Sequence, residues 1–324
     1  MSKAIRMSRT GGPEVMEYVD VEVGEPGPGE ARVRHAACGV NFVDVYFRTG
    51  LYPQELPGGL GKEGAGVVEA LGAGVSNVAV GDRVAYTGGP SGAYCEVRNV
   101  PASVLLRLPD AISFETAAAM MLRGLTVQYL FKRTAQLKRG DTILFHAAAG
   151  GVGLIACQWA RALGVNMIGT VGSDEKARLA REHGCAHVIN YNTEDFVARV
   201  LEITNGEKVS VVYDSIGKDT FTGSLDCLRP LGLMVSFGNA SGPVPPFTLN
   251  ELASRGSLFI TRPSLFAYIA KRADLEAMAA DLFAIVSSGQ VRIDINQKYK
   301  LADAARAHSD LEARKTTGST ILLP

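Results

Sequence analysis

Chemistry is most concentrated in one stretch, "TILFHAAAGGVGLIACQWARALG", from Thr142 to Gly164. An apolar run rich in β-formers leads into adjacent glycines, and a helical run follows. The spacing Ala148-x-Gly150-x-x-Gly153 is that of the dinucleotide fingerprint G-x-G-x-x-G, with alanine in the first slot. Gly150 would let the backbone approach a diphosphate, and Gly153 would let the helix pack closely on the strand. The free N–H groups and positive dipole of the helix start would hold the phosphates. No Gly-Lys-Ser/Thr follows, which excludes a P-loop. A glycine turn serving packing alone is the other reading, and the strand–helix units on both sides weigh against it.

The end of the next strand bears on the type of nucleotide. An NAD site places an acidic residue about 20 residues after the glycines, on the ribose hydroxyls. Here Val171, Gly172 and Ser173 are small and uncharged, and Lys176 and Arg178 follow within a turn. Room at Gly172, a hydroxyl at Ser173 and a charge at Lys176 suit a 2′-phosphate, so the expected cofactor is NADPH. Asp174 argues the other way, although a helix N-terminus also accounts for it. Lys176 taken alone also fits a solvated helix charge. His146, beside the glycines, reads as a hydrogen-bonded core histidine.

The elements that must position these residues follow from periodicity. From Asp141 the chain alternates: "TILFHAA", "VNMIGTV", "AHVIN", "VSVVYDSIG", "GLMVSFG" and "SLFIT" read as strands. The helices between them include "DEKARLAREHG", "TEDFVARVLEITNG" and "KDTFTGSLDCL". Alternation of this kind means βαβ units and a parallel sheet. A helical stretch is expected from Ser264 to Ser288, then a strand at "QKYK", a helix from Ala302 to Glu312, and "STILLP". The first hundred residues read as short strands between turns, as in a small barrel or sandwich. Ser113 is the expected N-cap of a helix continuing through "AAAMML".

Composition narrows the class. The 324 residues suggest two domains at roughly 100–200 residues each. Apolar residues make up 47% and charged residues 20%, which excludes a disordered chain. The 33 basic and 33 acidic residues cancel, so a nucleic-acid partner is not expected. No membrane span or secretory leader is read, and five scattered cysteines without a Cys-x-x-Cys pair suggest no disulfide framework; the expected location is the cytoplasm.

"GVNFVDVYFRTGLYP", "LGKEGAGVVEALGAGV", "GDRVAY", "GLTVQYL", "FHAAAGGVGLIACQWA", "VVYDSIGKDTF" and "TRPSL" carry a specific resemblance over essentially the whole chain. The sequence resembles the medium-chain dehydrogenase/reductases, and within them the NADPH:quinone oxidoreductases of the zeta-crystallin-like group. The resemblance implies an α/β fold: a GroES-like β-barrel catalytic domain at 1–122 and 266–324, and a Rossmann doubly wound parallel sheet at 123–265 with strand order 3-2-1-4-5-6. It also implies a cofactor cleft between the domains, a homodimer, and electron transfer from NADPH to quinones. Reduction of activated double bonds, as in enones or alkenals, is the alternative activity. A crystallin-like or nucleic-acid-binding role that retains the NADPH pocket is the alternative of another class.

The same resemblance distributes roles. Asn41, Tyr46 and Tyr52 line the nicotinamide end and the acceptor slot; tyrosine offers a flat face for a quinone ring and a hydroxyl donor. Packing accounts equally for both tyrosines without the resemblance. Gly151 and Val152 meet the diphosphate, and Gly172, Ser173, Lys176 and Tyr191 the 2′-phosphate and its ribose. Ser215 lies toward the adenine side, Phe237, Gly238 and Asn239 near the nicotinamide ribose, and Ser264 and Leu265 near the nicotinamide amide. Tyr129 fits packing or cofactor contact. Arg314 closes on the cofactor or is a surface arginine. The zinc-ligand slots of the superfamily fall on Asn41 and Lys62, neither of them a zinc ligand, so no metal is expected. Glu63 remains but cannot hold zinc alone, and Cys38 reads as a small core residue.

Overall fold

A computed structural model describes residues 1–324. They form two units: Met1–Leu125 with Ile269–Ser288 and Ile293–Pro324, and Thr126–Tyr268 with Gly289–Arg292.

Chain order in the first part is β1 (Ser2–Met7), β2 (Glu17–Val21), β3 (Glu30–Val40), α1 (Phe42–Thr49), β4 (Gly58–Gly59), β5 (Glu63–Leu71), β6 (Arg83–Thr87), β7 (Val97–Pro101), β8 (Leu106–Arg107) and α2 (Phe114–Tyr129). The strands read from the sequence are present, and α1 is an addition to that reading. Asn41 is its N-cap, Asp44 its N3 carboxylate, and Gly50 its left-handed C-cap, with φ of 84°. This Asn-x-x-Asp followed by glycine was the available signal, set among strands. Ser113 caps α2 as expected, its Oγ accepting from Thr116 N at 3.1 Å.

The middle of the chain alternates as expected: β9 (Thr142–Phe145), α3 (Gly151–Leu163), β10 (Asn166–Val171), α4 (Asp174–Glu182), β11 (His187–Asn190), α5 (Phe196–Ile203), β12 (Val209–Asp214), α6 (Phe221–Asp226), β13 (Leu228–Ser236), α7 (Leu249–Ser254), β14 (Phe259–Thr261) and α8 (Leu265–Tyr268). All six strands are parallel, in the order β11-β10-β9-β12-β13-β14, which is 3-2-1-4-5-6. Leu144, Ile168, Ile189, Val212 and Met234 project from consecutive strands into one core against Val200, Phe221 and Leu225. Fully buried parallel strands require such unbroken apolar runs.

The last part holds α9 (Arg272–Ser287), β15 (Ile295–Lys300), α10 (Ala304–Glu312) and β16 (Ser319–Leu323). The helical stretch expected over Ser264–Ser288 is made of two helices. In the second unit Tyr268 ends α8 by stacking on Tyr129, rings 4.5 Å apart, with its hydroxyl 2.8 Å from Thr134 Oγ1. In the first, Arg272 starts α9 by donating to Ser103 O (2.9 Å) and Leu105 O (2.6 Å). The first unit carries a three-stranded sheet, β2-β1-β4, and a seven-stranded sheet, β15-β16-β3-β5-β6-β8 with β7 on β3.

Candidate functional site

The glycine turn begins on a constrained backbone. Ala147 has φ of 57°, a left-handed conformation that L-residues rarely adopt, and Gly150 N closes the turn on Ala147 O at 3.0 Å. The bend thus falls one residue before the slot assigned to Ala148. A Cβ at Gly153 would lie 2.3 Å from Ala147 O and 2.6 Å from Ala148 C and O, so α3 packs on the strand end as the fingerprint requires. At Gly150 the nearest atom to such a Cβ would be Ala147 O at 3.3 Å, a much milder approach than at Gly153. Gly150 is the N-cap of α3 and offers no side chain to its first amides. The two following helices are capped: Ser173 accepts from Lys176 N, and Asp195 from Val197 N and Ala198 N. An uncapped N-terminus whose first residues are Gly151 and Val152 fits a diphosphate.

Gly172, Ser173, Lys176 and Tyr191 gather at the ends of β10 and β11. A Cβ at Gly172 would sit 2.5 Å from the Tyr191 hydroxyl, so the glycine admits that ring. Ser173 uses its oxygen as acceptor for Lys176 N at 3.2 Å, which leaves its hydroxyl proton to donate. The contrary signal at Asp174 has a structural account: its carboxylate accepts from Asn190 Nδ2 at 2.9 Å at the start of α4.

Ser215, Phe237, Gly238 and Asn239 meet at the ends of β12 and β13. A Cβ at Gly238 would be 2.5 Å from Ser215 O, and Ala240 N bonds that oxygen at 3.1 Å. Asn239 donates to Gly238 O (2.8 Å) and accepts from Arg262 Nη2 (3.1 Å), while Arg262 Nη1 holds Ser236 O at 2.9 Å. Arg262 lies within "TRPSL" but was not singled out from the sequence, since nothing in local spacing marks an arginine that crosses between strand ends. Ser264 is exposed, whereas Leu265 is buried. Tyr129 is buried under Tyr268, which favours packing. All these positions except Tyr129 lie at the carboxyl edge of the parallel sheet, where open α/β sheets bind ligands.

His146 has the core role expected. Its Nδ1 lies 2.9 Å from Thr170 Oγ1 and its Nε2 2.9 Å from Ser224 Oγ, and Ser224 donates to Asp214 Oδ2 at 2.8 Å. Asp214 is saturated further by Ile216 N, Gly217 N and Thr220 Oγ1. Burial lowers the His146 pKa against the pull of Asp214.

In the first unit, Asn41, Tyr46 and Tyr52 come together on and beside α1. Tyr52 N donates to Tyr46 O at 3.0 Å, and the rings meet edge-on, 5.2 Å between centroids. Phe42 and Phe47 extend this aromatic group. Asn41 Nδ2 donates to Glu63 Oε2 at 2.7 Å, and Leu122 N donates to Oε1 at 2.7 Å. Desolvation raises Glu63 to about 7 against the opposing pull of Arg123 and these bonds. Lys62 reaches Gly89 O at 2.9 Å and lies 4.8 Å from the Phe47 ring centre. No three His, Cys, Asp or Glu converge as a metal site, and an amide and an ammonium in the ligand slots do not fit zinc. Cys38 is buried, its thiol pushed well up by desolvation. Arg314 is exposed beyond α10 with φ of 58°.

Residues 27–110 match the alcohol dehydrogenase GroES-like domain and residues 151–281 the zinc-binding dehydrogenase family. A Pseudomonas aeruginosa quinone oxidoreductase is 58% identical, with all of both chains covered. The chain belongs to the quinone oxidoreductase family of the medium-chain dehydrogenase/reductases. Within the family, the crystal structure of Escherichia coli quinone oxidoreductase complexed with NADPH superposes with a TM-score of 0.98 at 51% identity, over 99% of this chain and all of that one. A 2-haloacrylate reductase from Burkholderia sp. is 45% identical over 100% of this chain and 99% of its own length. The GroES-like domain and the parallel sheet expected from the sequence are both present.

Proposed function

We propose that this protein reduces quinones with NADPH, without a metal. The uncapped N-terminus of α3, closed onto its strand by Gly153, carries the reading, with full-length likeness to quinone oxidoreductases behind it. Residues 123–265 serve as the nucleotide domain, and 1–122 with 266–324 as the acceptor domain. The amides of Gly151 and Val152 bind the diphosphate. The hydroxyl of Ser173 and the ammonium of Lys176 bind the 2′-phosphate, with Tyr191 beside the ribose. Ser215 serves the adenine side, Phe237, Gly238 and Asn239 the second ribose, and Ser264 and Leu265 the nicotinamide amide, with Arg314 as a further cofactor contact. NADPH, when bound, supplies the hydride. Tyr46 and Tyr52 present flat faces that orient a planar acceptor and exclude water, and a tyrosine hydroxyl donates to the acceptor oxygen. Asn41, with one amide hydrogen held by Glu63, presents the other. Solvent protonates the hydroquinone anion.

The 2-haloacrylate reductase relative supports a second reading, reduction of activated double bonds on the same site. NADPH consumption with 1,2-naphthoquinone against an enone and 2-chloroacrylate separates the two. A quinone kcat/KM at least tenfold above both is expected, and the reverse order replaces the first reading with the second. The enzyme acts in the cytoplasm as a homodimer. Support for the dimer comes from β14, the edge strand of the six-stranded sheet, which leaves Phe259 60% exposed; light scattering tests it. No helix is long and apolar enough to cross a membrane.

A further inference from the structure

Helix α1 carries Asn41 at its start and Tyr46 in its middle, and Tyr52 folds back onto it. Behind this helix runs a line of polar groups drawn from distant parts of the first unit, buried from Arg48 through to Asp44. The Glu312 carboxylate grips Arg48 through two bonds of 2.8 Å. Arg48 Nε holds Gly11 O at 3.1 Å, and its Nη1 lies 3.2 Å from His308 Nδ1. A guanidinium only donates, so Nδ1 accepts and the imidazole proton sits on Nε2. That nitrogen is 3.1 Å from the Tyr94 hydroxyl, which accepts from it and donates its own proton to Asp44 Oδ2 at 2.8 Å. The same Oδ2 takes the Asn41 N–H at 2.9 Å.

Every proton between Arg48 and Asp44 is thereby assigned, and all point the same way. Arginine does not release a proton at any ordinary pH, so the line transmits orientation rather than protons. We propose that Asp44, Tyr94 and His308 are positioning residues of the acceptor half-site: their fixed chain holds the start of α1, and with it Asn41, Tyr46 and Tyr52, in the arrangement that receives the quinone. This inference rests on the quinone-reductase reading above.

Asp44 is the sensitive end. Burial raises its pKa to about 6. The Asn41 N–H, the Tyr94 hydroxyl and the charges of Arg123 and Lys62 pull it back, while Glu63 faces it as a like charge. His308 acts through Tyr94 and is itself kept neutral by burial and Arg48. Oδ1 has no partner, so the ionised state depends on the two donors at Oδ2. Protonation weakens the acceptor for Asn41 N–H and removes the negative charge from the first turn of α1.

The test is the pH dependence of kcat/KM for 1,2-naphthoquinone with saturating NADPH. Wild type is expected to lose activity below an inflection near pH 6. In Tyr94→Phe one donor to the carboxylate is gone, and the inflection moves up by about one pH unit. Activity then falls about fivefold against wild type at pH 6 and less than twofold at pH 8.5, with NADPH affinity unchanged. His308→Gln keeps a donor toward Tyr94 and an acceptor toward Arg48 and retains the wild-type inflection, while His308→Leu moves it. The His308 pair decides the matter if Tyr94→Phe does not fold. An unmoved inflection in Tyr94→Phe, an equal inflection in both His308 variants, or a wild-type profile flat through pH 6 overturns the proposal. Absence of quinone reduction by wild type at every pH overturns the reaction assignment instead.

Discussion

Gly153→Ala and Gly150→Ala separate the packing role of the glycine turn from its binding role. A methyl at Gly153 would lie 2.3 Å from Ala147 O and 2.6 Å from two atoms of Ala148, all main chain. Ordinary contact begins near 3.4 Å, so α3 must retreat from the end of β9 by about 1 Å, since neither backbone has a flexible end to yield. Overpacking of this kind costs about 1–3 kcal/mol, a fall of roughly 2–8 °C in melting temperature. The retreat carries the amides of Gly151 and Val152 away from the proposed diphosphate site, and losing two hydrogen bonds to a charged group at about 1.5 kcal/mol each is worth roughly a hundredfold in affinity. A methyl at Gly150 meets only Ala147 O, at 3.3 Å, a tight contact relieved by a shift of a few tenths of an ångström, and φ there is −78°, so the fold should lose far less than at Gly153. Its obstruction falls mainly on the ligand. Fluorescence titration with NADPH and a thermal melt of each variant provide the assay. Gly153→Ala should lose stability and about a hundredfold in affinity, and Gly150→Ala affinity with a clearly smaller fall in the melt than Gly153→Ala. Gly150→Ala binding NADPH within threefold of wild type would refute the assignment of this turn to the diphosphate.

Lys176→Glu should weaken NADPH by about a hundredfold and NADH less than threefold, read by paired titrations; equal losses would remove Lys176 from the 2′-phosphate site. Gly172→Ala should leave the melt nearly unchanged, because its methyl meets the far end of Tyr191, and still raise the NADPH Kd by displacing that ring. Acid stability follows from the buried histidines. Desolvation lowers His35 to about 4 and His308 to about 3, and also lowers His146, so each takes up a proton on unfolding and loses stability as pH falls below 6.5. Glu63, raised to about 7, and Asp44, raised to about 6, act oppositely, their destabilisation fading as pH falls toward the unfolded values. Between pH 6 and 4.5 the two carboxyls offset His35 and His308, and His146, lowered as well, tips the balance, so urea-unfolding free energy should fall as pH falls. A rise in stability over that range would contradict this balance.

The second unit was legible because parallel strands buried on both faces must be written as apolar runs, and α4 and α5 between them carry side-chain caps. "TILF", "NMIGTV" and "VSVVYD" leave few alternatives, and Ser173 and Asp195 mark where helices begin. Helix α1 was hidden by its own side chains: Val, Phe and Tyr suit a strand as well, and the Asn41–Asp44 cap outweighs them only once Gly50 closes the other end. The break between α8 and α9 has no local signal, since it arises from Tyr268 and Arg272 bonding to residues more than 130 positions earlier. The same holds for Arg262, and for the chain from Glu312 to Asp44, which joins residues up to 264 apart in sequence. The glycine turn was readable because strand, turn and helix are neighbours in the sequence. The residues proposed for the acceptor were reached through resemblance, because a tyrosine that stacks on a ligand and one that fills a gap are spelled alike.

Asp214 has a consequence for how the coenzyme would come and go. Its four donors, and the link through Ser224 and His146 to Thr170, fasten β12, β9 and β10 to one another directly beneath the loops. The rim of the sheet is therefore rigid before anything binds, so a nucleotide arriving there need not freeze a wandering backbone. Oxidised and reduced coenzyme can then trade places on a ready-made seat. Calorimetry of NADPH association should show the small heat-capacity change of a docking event rather than the large one of a segment that folds.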